Sequence, residues 1–425
     1  MRIAIYYDDS GSQELDLSSP EKGNPGVGGT QFCFLMLMNY LKRHLKKDDM
    51  LFVYHSNDNN NIFSKELSVK FVPIDNLCKE LKKDKVDVAL INVSRLETLY
   101  DEISVSNAKF VVWVHNFLNR KLLSLLKSNE NVRRIVFVGK EQYDRYIDDD
   151  LIKKSTCIVN MYNANIGVYK RDKELSPIVT YTGAIVREKG FHSLAKEWKY
   201  ILKKVPQAQL YVIGGGNLYN RNAVMGKYGI ATQEYENEFM PYITDDDGKI
   251  LPSVHFCGIL GKEKIDIYKK TLVGVINPTA RTEICPLSAI EMEGCGIPVV
   301  SKNWNGMPDV IENNITGILA SNPEAFRKAV VSLLVNRQEN EKLGQKAKEY
   351  ILNKFNPEFL VSLWYSTFEE VFDNKTAQYL KPTRNFNNNI KFLRVINRFL
   401  RFELGMKFIP SLASLECKIK SAIKR

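Results

Sequence analysis

Histidine is scarce, with five in 425 residues, and no two cysteines stand as Cys-x-x-Cys. The seven cysteines lie singly, at positions 33, 78, 157, 257, 285, 295 and 417. That odd, dispersed set supports neither a zinc site nor a disulfide framework and points to a reducing compartment. Long apolar runs are also missing. A membrane-spanning helix needs about 18 or more consecutive apolar residues, and the longest apolar stretch, Phe32 to Leu41, is interrupted by Asn39. It reads as a buried helix. No basic-then-apolar leader precedes MRIAIYY, which reads at once as a strand, so a cytoplasmic protein is expected. Acidic charge is nearly absent from the last fifty residues: 376–425 hold eleven Lys and Arg against Glu403 and Glu416. Most of the formal net charge of +11 therefore sits in a basic appendage on a nearly neutral body.

What is present is a rhythm. Short β-branched runs alternate with helix-length segments. In the first half the strand candidates are Ile3–Tyr7, Leu51–Tyr54, Val86–Ile91, Phe110–Val114, Arg134–Val138 and Cys157–Asn160. Helices are expected between them, notably over Thr30–Arg43 and Lys140–Ile147. The rhythm breaks at the charged stretch Tyr169–Pro177, read as a hinge. It restarts with Ile178–Gly183, Leu210–Ile213, His255–Gly258, Val273–Asn277, Ile297–Ser301 and Thr316–Leu319. Helices over Glu324–Val335, Glu339–Asn353 and Pro357–Phe372 close the series. Strand–helix–strand alternation implies parallel sheets covered on both faces, here in two doubly wound α/β domains. The expected division is 1–172, 173–375 and a tail 376–425, with helix 357–372 as a candidate to cross back to the first domain. The long connection Asn217–Leu251 is of a length that signals function or disorder.

The chemistry concentrates in Arg281–Ser301, RTEICPLSAIEMEGCGIPVVS. Glu283 lies in a loop after an apolar run. Pro286 suits the first helical position, the helix is expected to run to about Cys295, and Gly296 closes it before a strand at Ile297–Val300. Glu291 lies roughly 7–8 Å along the helix from Pro286, at ~1.5 Å per residue. One carboxylate thus stands before a helix N-terminus and another on its side, with amide donors between them that suit an anion. A nucleotide sugar needs that layout.

Two glutamates with seven residues between them, followed by Gly-x-Pro-Val-Val, resemble glycosyltransferase family 4, the large retaining family with the GT-B fold of two Rossmann-like domains facing a central cleft. The resemblance implies that Glu283 contacts the donor sugar and Glu291 the ribose hydroxyls. The segment Tyr181–Leu194, YTGAIVREKGFHSL, is similar to the family's Gly-Arg-Leu-x-x-x-Lys-Gly motif, whose Arg and Lys hold the diphosphate. Gly183, Lys189 and Gly190 match; Ala184 replaces the Arg, and Arg187 is a candidate to supply the lost charge. Gly28 and Gly29, before the helix Thr30–Arg43, resemble the family's N-terminal glycine pair near the donor phosphate, where glycine allows close approach or positive φ. His115, at the end of VVWVHN, resembles the family histidine beside the reacting sugar. Cys285-Pro286-Leu287 replaces Phe-Gly-Leu and leaves the amides of Leu287 and Ser288 as phosphate donors. MYNANI (Met161–Ile166) resembles an Asn-Gly turn with Ala164 in the Gly position. The segments VGKEQY, LYVIGGG and MPDVIENNITGILA add further likeness, so the resemblance covers about Met1 to Phe372.

The resemblance implies a retaining transfer of a hexose-type sugar from a nucleotide diphosphate to a glycan or lipid-linked acceptor, in surface polysaccharide or lipopolysaccharide assembly. No metal and no cofactor is expected, the nucleotide sugar being a substrate. Two Asp-x-Asp runs, Asp148–Asp150 and Asp245–Asp247, formally fit a metal-dependent transferase but read as polar turns. A GT-B nucleotide-sugar epimerase and a non-catalytic nucleotide-sugar binder are the alternative readings. In the tail, Lys391, Arg394, Arg398 and Arg401 share one helical face, and Leu393, Ile396, Leu400 and Leu404 another. Leu412, Leu415, Ile419 and Ile423 repeat the apolar spacing after Pro410. Three readings stand: a basic amphipathic segment 390–425 on the anionic inner face of a membrane, a helix packed on the body, or a nucleic-acid tail. No recognised nucleic-acid module appears, and no nucleic-acid partner is expected.

Overall fold

The computed structural model describes residues 1–10, 14–58, 61–163, 168–172, 175–218 and 222–423, except the side chains of 421 and 423. It resolves into two compact units. The first comprises Met1–Pro20, Gly29–Met161 and Pro357–Arg425; the second comprises Glu21–Gly28 and Tyr162–Asn356. The unit boundaries thus fall at 161/162 and 356/357, where 172/173 and 375/376 were expected, and the whole stretch from Pro357 onward groups with the first unit.

The first unit holds seven strands: β1 (Arg2–Tyr7), β2 (Met50–His55), β3 (Ser68–Phe71), β4 (Val88–Asn92), β5 (Lys109–Val114), β6 (Val132–Phe137) and β7 (Ser155–Cys157). They lie in the order β3-β2-β1-β4-β5-β6-β7, and every pairing is parallel. The central strands are apolar without alternation because helices cover both faces. In β5, KFVVWV, all residues but the first are buried. Edge strand β3 went unpredicted: its sequence SVKF is short, and none of its four residues is buried. β7 lies two residues upstream of the expected strand Cys157–Asn160, and the helix expected over Lys140–Ile147 stops at Asp144. Helix Pro357–Phe372 joins this unit because Trp364 packs edge-on against Trp113 of β5, ring centroids 4.6 Å apart.

The second unit holds β8 (Ile178–Thr182), β9 (Gln209–Ile213), β10 (Val254–Gly258), β11 (Val273–Val275), β12 (Val299–Lys302) and β13 (Ile318–Ala320). The order is β10-β9-β8-β11-β12-β13, again all parallel. Both sheets reverse direction beside the first strand of their unit, so each has a topological switch point at its carboxyl edge, where open α/β sheets bind ligands. The stretch read as a hinge is tied to the second unit at its described residues. The Arg171 guanidinium donates to Asn340 Oδ1 at 2.8 Å, and the Asp172 amide to the Lys269 carbonyl at 2.9 Å. Residues 173 and 174 lie outside the described residues, as do residues 164–166 of the expected Asn-Gly-like turn. The long connection 217–251 is built around helix Gln233–Ile243. Buried Glu236 gathers its preceding loop by accepting the amides of Tyr228, Ile230 and Ala231 at 2.9–3.1 Å. Asp245–Asp247 is a turn, with Asp245 accepting the amides of Asp247 and Lys249.

Of the readings of the basic tail, the structure shows a helix packed on the body. Helix Lys391–Arg398 continues into a wider π turn over Phe399–Glu403, and its cations face the protein. Lys391 Nζ lies 2.7 Å from Glu141 Oε1 and 3.0 Å from Asp144 Oδ2, with all three side chains buried. Arg394 pairs with Glu416 and lies 3.5 Å from Asp148 Oδ1. Arg401 pairs with Asp150 at 2.8 Å, and Arg398 donates to the Ile147 carbonyl and lies over the Tyr379 ring. The Asp148–Asp150 run is therefore a seat for the tail. Opposite charge, mostly from Glu141, Asp144, Asp148 and Asp150 outside the tail, decided which face turned inward.

Removing one member of a buried ion pair leaves the other uncompensated. Lys391→Ala is expected to cost about 3–5 kcal/mol of stability in urea unfolding of the full chain. The double change Glu141→Gln with Lys391→Met is expected to recover part of that loss.

Candidate functional site

The carboxyl edge of the second sheet gathers three loops. The loop after β8 turns through Arg187–Lys189 and is closed by Gly190, whose φ of +70° starts helix Phe191–Lys204. A Cβ at Gly190 would stand 2.7 Å from Thr279, so the position needs glycine both for its backbone and for that contact. The turn is held from below by Tyr181, whose hydroxyl donates to the Lys189 carbonyl at 2.9 Å. Lys189 leaves this turn and places its ammonium 2.6 Å from Glu283 Oε1.

Glu283 is 6% exposed. The same Oε1 accepts the side-chain amide of Asn277 at 3.0 Å. Asn277, at the end of β11, also donates to the Glu188 carbonyl and accepts from the amide and hydroxyl of Thr279 and from the Ala280 amide. One buried side chain therefore welds the Lys189 turn to the Glu283 loop. A third loop, after β12, closes over the second: the Gly306 amide donates to the Glu283 carbonyl at 3.0 Å, and Asn305 donates to the carbonyls of Ala280 and Arg281.

Helix Leu287–Gly294 follows. Pro286 was expected as its first residue. It is instead the extended cap, with ψ at 113°, and the helix starts one residue later. Leu287 and Ser288 are then the first helical residues, whose amides have no acceptor within the helix. Gly296 follows with φ of +81°, and the next strand begins at Val299 rather than Ile297. On the flank of the helix, Glu291 Oε2 meets Lys264 Nζ at 2.5 Å, both side chains largely buried. Glu293 lies two residues on, roughly 200° around the helix, and points into the core. It accepts from Thr316, and burial drives its carboxyl well above the usual range.

Not every expected residue joins this cluster. Arg187 turns away to Glu238, 3.2 Å distant, with its side chain 59% exposed. Ala184, in the place of the family arginine, is buried against the Tyr181 hydroxyl. Gly28 and Gly29 are exposed, and Gly29 is the first residue of helix Gly29–His44. The positive φ angles of that loop fall on Gly23 and Gly26, because Asn24 Oδ1 accepts the amides of Gly26 and Val27 and sets the turn before the pair.

His115 belongs to the first unit, directly after β5. Its ring lies against Trp113, centroids 4.5 Å apart, and neither ring nitrogen has a hydrogen-bond partner among the described residues. Burial pushes its pKa down to about 3, so the imidazole is neutral.

Asn277 and Lys264 escaped the sequence reading. The Asn277-Pro278 dipeptide at a strand end is a turn signal. Lys264 opens helix Lys264–Lys270, where a cation opposes the helix dipole, which was its one visible oddity.

Residues 176–336 match the family Glycosyl transferases group 1, which contains β8 through β13 and all of Lys189, Glu283 and Glu291. Sucrose-phosphate synthase from Thermosynechococcus elongatus superposes with a TM-score of 0.66 at 17% identity, over 88% of this chain and 99% of that one. Anabaena HepE in complex with UDP gives 0.67 at 14% identity, over 87% and 100%. The fold is GT-B. In sequence, the capsular polysaccharide biosynthesis glycosyltransferase CapM of Staphylococcus aureus is 22% identical over 287 residues, 65% of this chain and 66% of CapM. The GT-B chain thus carries a glycosyl transferases group 1 domain in its second unit, and the three-loop cluster lies within that domain.

The depressed pKa of His115 has a consequence for stability. Above its ordinary value of 6.5 the ring is neutral folded or unfolded. As pH falls below that, the unfolded chain takes up a proton that the folded one refuses until about pH 3. Stability is therefore lost as pH falls, by up to about 1.4 kcal/mol per pH unit from this residue. Urea titrations of His115→Phe at descending pH are expected to show a slope shallower by about one proton.

Proposed function

We propose that this GT-B protein is a glycosyltransferase that moves a hexose-type sugar, with retention, from a nucleotide diphosphate donor to a glycan or lipid-linked acceptor in surface polysaccharide assembly. The observation that carries the reading is the Lys189–Glu283–Asn277 cluster in front of helix Leu287–Gly294. Breaking the bond between an anomeric carbon and a diphosphate puts positive charge on the sugar and negative charge on the departing phosphate. An ammonium beside helix-start amides meets the second demand, and a buried carboxylate meets the first.

In this reading the diphosphate lies on the amides of Leu287 and Ser288, with Lys189 Nζ shared between its oxygens and Glu283. Glu283 orients the donor sugar. Glu291, held by Lys264, accepts the ribose hydroxyls with its other oxygen. The acceptor hydroxyl forms the new bond to the anomeric carbon as the nucleoside diphosphate leaves, and the acceptor proton departs on the leaving phosphate. His115, neutral, offers a hydrogen-bond donor and an acceptor without charge. Lys189 and the helix amides supply the charge neutralisation, so the transfer proceeds without a metal. Arg187 would take part only by leaving Glu238. HepE, of the same fold, is seen with UDP, and CapM is named for capsular polysaccharide biosynthesis; both support the donor and pathway classes proposed. The protein is placed in the cytoplasm, against the inner face of the membrane where a lipid-linked acceptor is found.

The test is a thermal-shift screen of nucleoside diphosphates, followed by turnover of the stabilising nucleotide's sugars with lipid-linked acceptors. Lys189→Ala is expected to lower kcat about 10²–10³-fold and to lower the melting temperature, because buried Glu283 loses its cation. Turnover is expected to survive EDTA. Binding of the nucleotide without transfer, or formation of an epimerised donor, would remove the proposal.

A further inference from the structure

The tail helix is amphipathic with its polarity reversed. The cations face inward, and Phe392, Leu393, Ile396, Phe399, Leu404 and Phe408 face out. Phe392 is 60% exposed and Phe408 85%. Over 391–403 the apolar face runs about 20 Å at ~1.5 Å per residue. A contiguous stripe of this kind on a protein in water marks an interaction surface. The helix cannot roll to hide it, because Lys391, Arg394 and Arg401 are pinned to Glu141, Asp148 and Asp150 beneath.

We infer that this stripe is a membrane-docking surface whose partner is the hydrocarbon boundary of an anionic lipid bilayer. The inference rests on the peripheral-membrane reading above and assigns its contact to the apolar face, with the helix cations serving as internal anchors. Charge at the two ends of the stripe carries the choice of partner. At one end lies exposed Arg384, whose carbonyl accepts the Phe386 amide, while the Phe386 carbonyl accepts that of Phe392. At the other end Lys407, half-exposed and also 3.2 Å from Asp150 Oδ1, holds its ammonium 4.2 Å from the Phe402 ring centre. On the adjoining helix Leu412–Ile423, exposed Ile419 is flanked by exposed Lys418 and Lys420. Among the described residues from 376 onward, Glu403 is the one exposed acid. Cations bordering bulky apolar side chains suit phosphate headgroups above an acyl layer. The stripe itself offers no side-chain hydrogen-bonding group, whereas a protein partner usually draws on about one hydrogen bond per 100–200 Å².

The experiment is flotation of the full chain with vesicles of phosphatidylcholine and phosphatidylglycerol, at low salt and at about 1 M salt, where the Debye length is about 3 Å. Binding is expected at both, since burial of apolar side chains survives screening. Phe392→Gln with Phe399→Gln is expected to weaken partitioning about tenfold or more, with far-ultraviolet dichroism and melting temperature unchanged. These positions are exposed, so folding should tolerate them; Ile396→Gln with Leu404→Gln serves as a second pair. Vesicle binding that both pairs leave intact would overturn the assignment of the face while leaving membrane association standing. Absence of vesicle binding by the parent would overturn both. A parent dimer in sedimentation that the variants dissociate, without vesicle binding, would replace the lipid with a second copy of the chain. Donor turnover on a soluble acceptor reads the sugar-transfer proposal separately.

Discussion

An ammonium and a carboxylate from segments 94 residues apart meet at 2.6 Å, with a buried asparagine amide on the same oxygen. That junction fixes the mouth of the second unit. Without Asn277 bridging the Lys189 turn to the Glu283 loop, and Asn305 and Gly306 tying the loop after β12 to the latter, three loops at a sheet edge would each be free to choose a conformation. Loops are where ligands are gripped, but only when something rigid holds them. Here the rigidity comes from a side chain that need not touch the substrate. The charge pair has a second consequence. With Lys189 on Glu283, the buried acid is compensated within the protein itself, and in the proposed reading a diphosphate would need only to share the ammonium.

The same economy appears on the first unit in a structural role. The acids of Glu141 through Asp150 and the cations of the tail neutralise one another out of water. Buried pairs of this kind contribute little net stability compared with an apolar packing, yet they specify orientation strictly, because any other rotation of the helix leaves charges stranded. What they specify here is an outward apolar stripe. The electrostatics of the interior thus set the hydrophobicity of the surface.

Much of the fold was legible from periodicity. Strands β1, β2, β4, β5 and β6, and the helices starting near Thr30 and at Pro357, were placed within a few residues because their apolar runs are long and punctuated. β3 was missed because an exposed edge strand carries no apolar pattern. Pro286 was shifted by one because proline suits both a helix cap and a first turn. At the site, the spacing of Glu283 and Glu291 and the Gly-flanked Lys189 were visible as motifs. Arg187 was chosen for its charge and its nearness in sequence. The structure turns it toward Glu238, on helix Gln233–Ile243, which lies inside the long connection the sequence left unread.

The sequence by itself determined which residues share a strand, a helix face or a loop, since those relations follow from backbone geometry with periods of about 2.0 and 3.6. Only the tertiary structure decided which face looks inward. A helix with cations on one side and leucines on the other has the same period either way. Its orientation depends on whether acids from a distant segment await it, and Glu141, Asp144, Asp148 and Asp150 do. In the same way Asn277 and Lys264 acquired their roles from the partners that folding brought to them, and no local pattern encodes a contact between residues 27 or 89 positions apart.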